Sequence, residues 1–121
     1  MPKLCNINDF TRLYRRTVKV SVAAALTVKV KLNRIAPGKV RVLTHVTVEN
    51  TSVAYDLCRL AIDHGGILHY LDELQNIAAN ELAVSRSPIL LGEGDVFFSE
   101  LTGTNPLGNV IMTCIGWEQD L

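Results

Sequence analysis

Two histidines flank a glycine turn and are the first residues in the chain that could bind a metal ion. His64 and His69 stand on either side of Gly65-Gly66, and histidines near a turn of a β domain raise the possibility of a cupin metal site. Such a site needs convergent ligands held on facing strands. The two histidines are five residues apart, no third histidine follows, and His45 stands alone. The sequence therefore predicts exposed imidazoles and no metal.

The other reactive side chains do not form a catalytic pattern either. Glu93 and Asp95 could give a calcium ion two oxygens, but calcium takes about six to eight, and a simple turn explains this glycine-rich motif. Cys58 and Cys114 lie in apolar, strand-like runs, where a thiol is unreactive. No serine has the sequence context of a nucleophile elbow. We therefore predict a protein that is not an enzyme and needs no cofactor.

The three cysteines also indicate the compartment. Cys5, Cys58 and Cys114 are widely spaced and form no Cys-x-x-Cys pair, so neither a disulfide framework nor a zinc knuckle is predicted. The N-terminus has no apolar signal region, and charged residues interrupt every long apolar run. These features predict a soluble protein in a reducing cytoplasm, without a membrane partner.

The charged residues are unevenly distributed along the chain. The formal net charge is zero, but residues 1–41 hold ten lysines and arginines against one aspartate, a net charge of +9. Residues 42–121 hold two arginines against eleven carboxylates, a net charge of −9. The split has no consequence if the two halves interleave within one sandwich. Otherwise it predicts an acidic partner for the basic half.

Four basic residues beside a predicted turn make this question more specific. If the strands on either side of Pro37 pair as a hairpin, Lys31 lies near Lys39 and Lys29 near Arg41, and like charges opposite one another destabilise a sheet. Either the turn sends the second strand into the other sheet, or an acidic partner neutralises the cluster. The few aromatic residues are not interleaved with these lysines, which argues against nucleic acid. The remaining acidic partner is a second copy of the chain, through Glu93, Asp95, Glu118 and Asp120.

An alternating run, Thr17–Leu32, is the main element that must position these side chains. Every even residue from Val18 to Leu32 is apolar and most odd residues are polar or small, which is the period of a strand with one buried face. Because the run is long for one strand, we expect a bend at Ala23-Ala24-Ala25. A turn at Asn33–Gly38 leads to a second alternating strand, Val40–Glu49, whose even residues are expected to share the buried side.

The residues before this run are predicted to form an arm and not a strand. Phe10, Leu13 and Tyr14 have helical spacing, so a short helical turn is expected, with Arg12, Arg15 and Arg16 off its apolar side. The predicted organisation is therefore an N-terminal arm, residues 1–16, followed by one domain, residues 17–121.

The rest of the chain reads as short strands joined by turns. Leu71 to Val84 is the exception, and we interpret it as a short helix or an extended loop. Asn109–Trp117 is apolar on both faces, which is typical of a central strand. About seven strands, spaced about ten residues apart, predict an all-β protein, an antiparallel β-sandwich with a jelly-roll-like arrangement. The other predicted strands are Ala54–Asp63, Ile67–Tyr70, Pro88–Leu91 and Val96–Leu101.

Several short motifs follow one another in a distinctive order. After the alternating run come Ile35-Ala36-Pro37-Gly38-Lys39, Val48-Glu49-Asn50-Thr51-Ser52, Ile89-Leu90-Leu91-Gly92-Glu93-Gly94-Asp95 and Ile115-Gly116-Trp117-Glu118. This order, over about residues 17–118, resembles that of small β-sandwich structural proteins of tailed bacteriophages. The resemblance implies a virion protein assembled in the host cytoplasm. It would be either a capsid decoration (cement) protein or a head–tail, collar or baseplate adaptor.

By this resemblance the chain would be a homo-oligomer, for example a trimer, that docks on the major capsid protein or on other virion proteins. A cupin-like or carbohydrate-binding jelly roll is the alternative from a different functional class. The predicted partner-binding residues belong to the arm and to the basic face: Phe10, Arg12, Leu13, Tyr14, Arg15, Arg16, Lys29, Lys31, Lys39 and Arg41.

Overall fold

The computed structural model describes residues 12–21, 27–50, 55–77, 82–103 and 108–120. Side chains are not described at positions 55, 56 and 74–77. Within these ranges every regular element is a β-strand, and no helix there could cross a membrane. The strands are β1 (Arg12–Ser21), β2 (Thr27–Lys31), β3 (Lys39–Asn50), β4 (Tyr55–His64), β5 (Ile67–Ile77), β6 (Leu82–Ser85), β7 (Ile89–Leu91), β8 (Asp95–Thr102) and β9 (Asn109–Asp120).

The strands form two antiparallel sheets that pack as a sandwich, which confirms the predicted all-β, jelly-roll-like fold. The first sheet has the order β1-β9-β3-β6, with β7 also paired to β3. The second sheet has the order β2-β8-β4-β5. The main core lies between the sheets and contains Val30, Leu43, Phe97, Leu101 and Met112, each at most 1% exposed. Burial of such apolar side chains is the dominant stabilising contribution.

The long alternating run supplies one strand to each sheet. β1 pairs with β9 in the first sheet, and β2 pairs with β8 in the second. Val28, Val30 and Leu32 are buried, as the alternation predicts. The bend expected at the three alanines lies outside the described residues.

The turn between β2 and β3 changes sheets and does not make a hairpin. The Lys39 N–H donates to the Ala36 carbonyl at 3.3 Å, and Gly38 has a φ of 76°. Glycine adopts this left-handed conformation without the steric penalty of a Cβ. Of the two explanations offered for the four basic residues, the change of sheet is confirmed.

The predicted helical turn is wrong from Arg12 onward. Arg12–Arg16 belong to β1 and continue its antiparallel register, from Arg12 opposite Glu118 to Arg16 opposite Cys114. Hydrogen bonding to β9 outweighs the weak helical spacing of Leu13 and Tyr14, because a short isolated helix is unstable in water. Phe10 and the other residues of the predicted arm before Arg12 lie outside the described residues.

β3 contains a bulge that moves its valines to opposite faces. The register with β9 shifts between Leu43 and His45, so Thr44 is the extra residue. Leu43, Val46 and Val48 lie in the main core, whereas Val40 and Val42 form a separate buried cluster. The prediction that all the even residues of β3 share one face is therefore wrong.

The stretch from Leu71 to Val84 is neither a helix nor only a loop. β5 continues to Ile77 in antiparallel pairing with β4, and β6 begins at Leu82 and pairs with β3. A second bulge, between Leu60 and Ala61 in the β4 register, leaves Leu71 unpaired. The extra residue shifts the alternation of side chains along β5 by one position. The apolar residues of this stretch therefore have a spacing similar to that of a helix.

The last three strands are found where the sequence predicts them. β7, β8 and β9 correspond to the predicted strands that begin at Pro88, Val96 and Asn109. β9 lies between β1 and β3, which confirms its central position.

Candidate functional site

An apolar row crosses four strands on the outer face of the first sheet. Trp117 pairs with Leu13 on one side and with Val42 on the other, and Val42 pairs with Leu90. Side chains alternate along β9 and Met112 points into the core, so the odd-numbered Trp117 points away from it. Leu13 is 58% exposed, Trp117 42% and Leu90 61%. The row, Leu13-Trp117-Val42-Leu90, is a candidate docking surface.

The row is bordered by a buried amide. Gln119 lies opposite Val40, is 4% exposed, and neither its Oε1 nor its Nε2 has a hydrogen-bond partner among the described residues. A buried amide without partners is costly. This part of the sheet is therefore less stable than an apolar surface of the same shape would be.

Three of the predicted partner-binding residues form ion pairs with carboxylates at the end of β9. Arg41 Nη2 lies 2.7 Å from Glu118 Oε2, and Arg12 Nη2 lies 2.7 Å from Asp120 Oδ2. Lys39 Nζ lies 3.8 Å from Glu118 and 3.9 Å from Asp120. Glu118 and Asp120 are two of the carboxylates expected to come from a second copy. The idea of a basic cluster awaiting an acidic partner is therefore wrong at this end of the sandwich.

The ion pair between Arg41 and Glu118 is buried against an aromatic ring. Both side chains are about one-tenth exposed, and the Arg41 guanidinium lies 3.8 Å from the centroid of the Tyr14 ring. Burial raises the pKa of the Tyr14 hydroxyl, and the positive charge of Arg41 opposes that rise. Arg41 Nη1 has no hydrogen-bond partner among the described residues. Arg41 and Tyr14 thus act as packing residues of the fold.

The outer face of the second sheet carries a row of alternating charges. The register places Lys29, Glu100, Arg59 and Glu73 side by side across four strands. Lys29 Nζ lies 3.8 Å from Glu100, and Arg59 Nε lies 2.8 Å from Glu73, a hydrogen bond that raises the pKa of Arg59. Lys29 also lies over the Phe98 ring. Lys29 is therefore neutralised within the chain.

The remaining predicted residues lie on two edge strands. Arg15 and Arg16 are exposed on β1, and Lys31 is exposed on β2. None of these three side chains has an ion pair with another described residue. The ten predicted residues therefore do not form one site. They belong to an internal charge network, an apolar row and a basic edge, and Phe10 lies outside the described residues.

The histidines are separated, and one of them has a carboxylate partner. His64 Nδ1 lies 2.6 Å from Asp95 Oδ1, and His64 faces Asp95 in the pairing of β4 with β8. Asp95 also accepts the Gly92 N–H at 2.9 Å. His69 pairs with Ile62, and His45 lies in the other sheet. In the described part of the chain, no three metal-ligating side chains come together.

The Asp95 contact to His64 was not found from the sequence. Its only signal was that both residues stand beside glycine turns. The two residues become neighbours only when β4 pairs with β8, and the sequence alone does not show this pairing.

A groove opens where the edges of the two sheets meet. Its volume is about 400 Å³ and its wall combines apolar side chains with Asp72, Ser85 and Ser87. One carboxylate and two hydroxyls provide hydrogen-bonding groups but no nucleophile with an adjacent base. The apolar lining residues are Ile62, Leu71, Pro88, Ile89 and Leu90.

The two described cysteines are buried, as the sequence predicts. Cys58 is 1% exposed and Cys114 is 0% exposed. Burial raises the pKa of Cys114 to about 12. A thiol with such a pKa is a poor nucleophile at neutral pH.

Comparisons with known proteins give a distant structural likeness. No family model matches the sequence, and no curated protein matches it. A solved structure titled "CBM4 structure and function" is similar over 87% of this chain and 82% of its own, at 11% identity and a TM-score of 0.38.

Proposed function

We propose that this chain is a non-enzymatic structural protein of a tailed-bacteriophage virion, a capsid decoration protein that docks on the major capsid protein. The proposal rests on the order of motifs in the sequence and on one surface of the fold. The observation that carries it is the apolar row Leu13-Trp117-Val42-Leu90 on the first sheet, in which Leu13, Trp117 and Leu90 are exposed and Val42 is buried.

The row has the composition of a protein-binding surface. The outward face of an antiparallel sheet is usually polar, so an apolar row that crosses four strands there is unusual. Four strands span about 14 Å, and Trp117 lies near the middle of the row. Tryptophan is enriched among the residues that contribute most to protein interfaces. The charged residue Arg15 lies next to the row on β1 and would belong to a polar rim.

Two of the motifs behind the resemblance meet in space. The Ile35 N–H donates to the Asp95 carbonyl at 3.0 Å, and the Gly94 N–H donates to the Ile35 carbonyl at 3.0 Å. These bonds join the turn before β3 to the turn before β8. The motifs therefore have a structural role, which suits a protein that presents a rigid surface.

A carbohydrate-binding function fits the described aromatic side chains less well. A flat sugar-binding platform needs rings on one face, but Trp117 lies on the outer face of the first sheet and Tyr70 on that of the second. A head–tail, collar or baseplate adaptor would use the same kind of protein contact. The location in a particle distinguishes these alternatives.

The test is incorporation into purified phage particles, measured by mass spectrometry and located by antibody labelling in electron micrographs. We expect the chain on the capsid, and we expect Trp117→Ser to be lost from particles while remaining folded by circular dichroism. Tyr70→Ser is the matched control, since Tyr70 is 47% exposed on the opposite face. Absence of the unmodified chain from particles, or equal incorporation of both variants, would overturn the proposal.

A further inference from the structure

We propose that the free edge of β1 binds an acidic, extended segment of a partner protein, which adds to the first sheet as a further strand. This inference rests on the proposed function only in assuming that the chain docks on other proteins. Within the described residues, β1 is the terminal strand of its sheet and pairs with β9 alone. It is ten residues long, twice the length of β2, the edge strand beside it in the second sheet.

An edge strand of this length offers a row of backbone groups that no other described strand uses. In an antiparallel pair, the N–H and C=O groups of alternate residues point away from the partner strand. About five residues of β1 therefore present donors and acceptors that an added strand can use. Such main-chain bonds supply affinity, and side chains beside the edge supply selectivity.

The side chains beside this edge are basic and have no counter-charge among the described residues. Arg15, Arg16 and Lys19 are exposed and form no ion pair with any described residue. β9 has no carboxylate directly opposite these positions, so the other side of β1 is where an added strand could place one. The β9 residues at those positions are Ile115, Cys114 and Ile111.

Arg12, the first residue of β1, shows how a neighbouring strand can neutralise a basic residue of β1. Arg12 does face a carboxylate across the sheet, Glu118, and it also binds Asp120 at 2.7 Å. The carboxylates at the end of β9 thus neutralise Arg12 at one end of β1. No described carboxylate neutralises the basic residues in the middle of the strand. An added strand with carboxylates opposite Arg15, Arg16 and Lys19 would repeat on the free edge the arrangement that β9 provides for Arg12.

The same charges exclude a second copy of β1 as the added strand. Two basic strands side by side would place like charges opposite one another, which destabilises a sheet. Charged side chains protect natural edges from self-pairing in this way. Lys31 on the neighbouring edge strand β2 is also exposed and has no ion pair among the described residues, so it extends the positive field. The edge is therefore closed to copies of itself and selective for acidic strands.

The test uses a synthetic peptide of ten residues, alternating valine and threonine, with glutamates opposite Arg15, Arg16 and Lys19 in antiparallel register. We expect it to bind the full chain by calorimetry and to slow hydrogen exchange of the outward β1 amides. A peptide with lysines at the same three positions should not bind. Raising NaCl to about 0.5 M should weaken binding, because exposed ion pairs are screened.

Two matched pairs of reagents separate strand addition from simple charge attraction. Arg15→Ser/Lys19→Ser should weaken binding about tenfold, whereas Arg34→Ser/Arg86→Ser, which removes the same charge elsewhere, should change it less than about twofold. N-methylation of alternate peptide residues should abolish binding for the set facing β1. N-methylation of the other set should leave binding intact, because those amides point away from β1.

Several results would overturn the inference. These are no binding of the acidic peptide, equal effects of the two N-methylated peptides, or binding of a single-stranded oligonucleotide in preference to the peptide. A self-associated chain whose β1 amides are already protected would show that a second copy occupies the edge. Peptide binding without particle incorporation would refute the proposed virion role alone, and incorporation without peptide binding would refute strand addition alone.

Discussion

The Arg41 guanidinium stacks on the Tyr14 ring at 3.8 Å, although the two residues lie on strands separated by β9. The residue of β9 between them is Gly116, which pairs with Tyr14 on one side and with Leu43 on the other. Because Gly116 has no side chain, the backbone of β3 can approach β9 closely here, at a point where a Cβ would collide with the Val42 carbonyl. Tyr14 and Arg41 therefore lie on the two strands that flank this glycine.

Gly116→Ala should destabilise the protein strongly. A Cβ at this position would collide with the backbone carbonyl of Val42, which cannot move without breaking the β3–β9 pairing. We expect a loss of about 3 kcal/mol in the free energy of unfolding, measured by urea titration with the fluorescence of Trp117, the single tryptophan. Gly92→Ala is the control, because its Cβ would meet nothing within 4 Å. Equal losses in both variants would contradict this account.

Arg41 and Glu118 should be energetically coupled. Arg41→Met leaves Glu118 buried, with Arg12 at 3.7 Å and Lys39 at 3.8 Å as its remaining cations, and should cost about 3 kcal/mol. The double variant Arg41→Met/Glu118→Gln should lose less than the sum of the single losses in a double-mutant cycle. The exposed pair Arg59 and Glu73 is the comparison, and its coupling should be smaller than that of the buried pair because solvent screens it.

Cys114 should make the protein less stable at alkaline pH. The pKa of its thiol is raised from 9.0 to about 12 in the folded state. Between these values the folded thiol keeps a proton that the unfolded thiol has lost, so stability is full below about pH 9 and falls as the pH rises, by at most about 1.4 kcal/mol per pH unit. Urea unfolding at about pH 8.5 and about pH 10.5 should show a smaller decline for Cys114→Ala. Parallel declines would refute the assignment.

Asp95 should stabilise the junction of the two turns. Asp95→Ala removes the acceptor of the Gly92 N–H and the partner of His64, and should cost about 1–2 kcal/mol. Hydrogen exchange at the Gly94 amide should also become faster, because this amide donates to Ile35 across the junction. Glu93→Ala, two residues away and exposed, should change stability by less than about 0.5 kcal/mol. An effect of Glu93→Ala as large as that of Asp95→Ala would argue against this role.

The sequence predicted those parts of the fold in which local pattern and tertiary environment agree. The alternation of Val28, Val30 and Leu32 and the glycine of the Pro37-Gly38 turn led correctly to strands and to a change of direction. The sandwich followed from these strands and turns, because a sheet with one apolar face must bury it.

The errors arose where one residue or a distant partner decided the structure. The bulge at Thr44 depends on the register with β9, and Arg12–Arg16 become a strand only because β9 lies beside them. The charges were misread for the same reason. The +9 and −9 halves interleave, so Lys39 and Arg41 find their carboxylates on the last strand and not in another molecule. Sequence separation says nothing about such neighbours.

The bulge at Thr44 also determines which changes in gene length β3 can tolerate. An in-frame loss of the Thr44 codon would remove the bulge and still leave Leu43 opposite Gly116 and His45 opposite Ile115, so both halves of the strand would keep their faces. Because side chains alternate, the insertion of one residue within either half of the strand would instead turn the residues on one side of it over, while composition and hydropathy would hardly change. The count of residues on each side of Thr44 therefore matters to this strand as much as their identities.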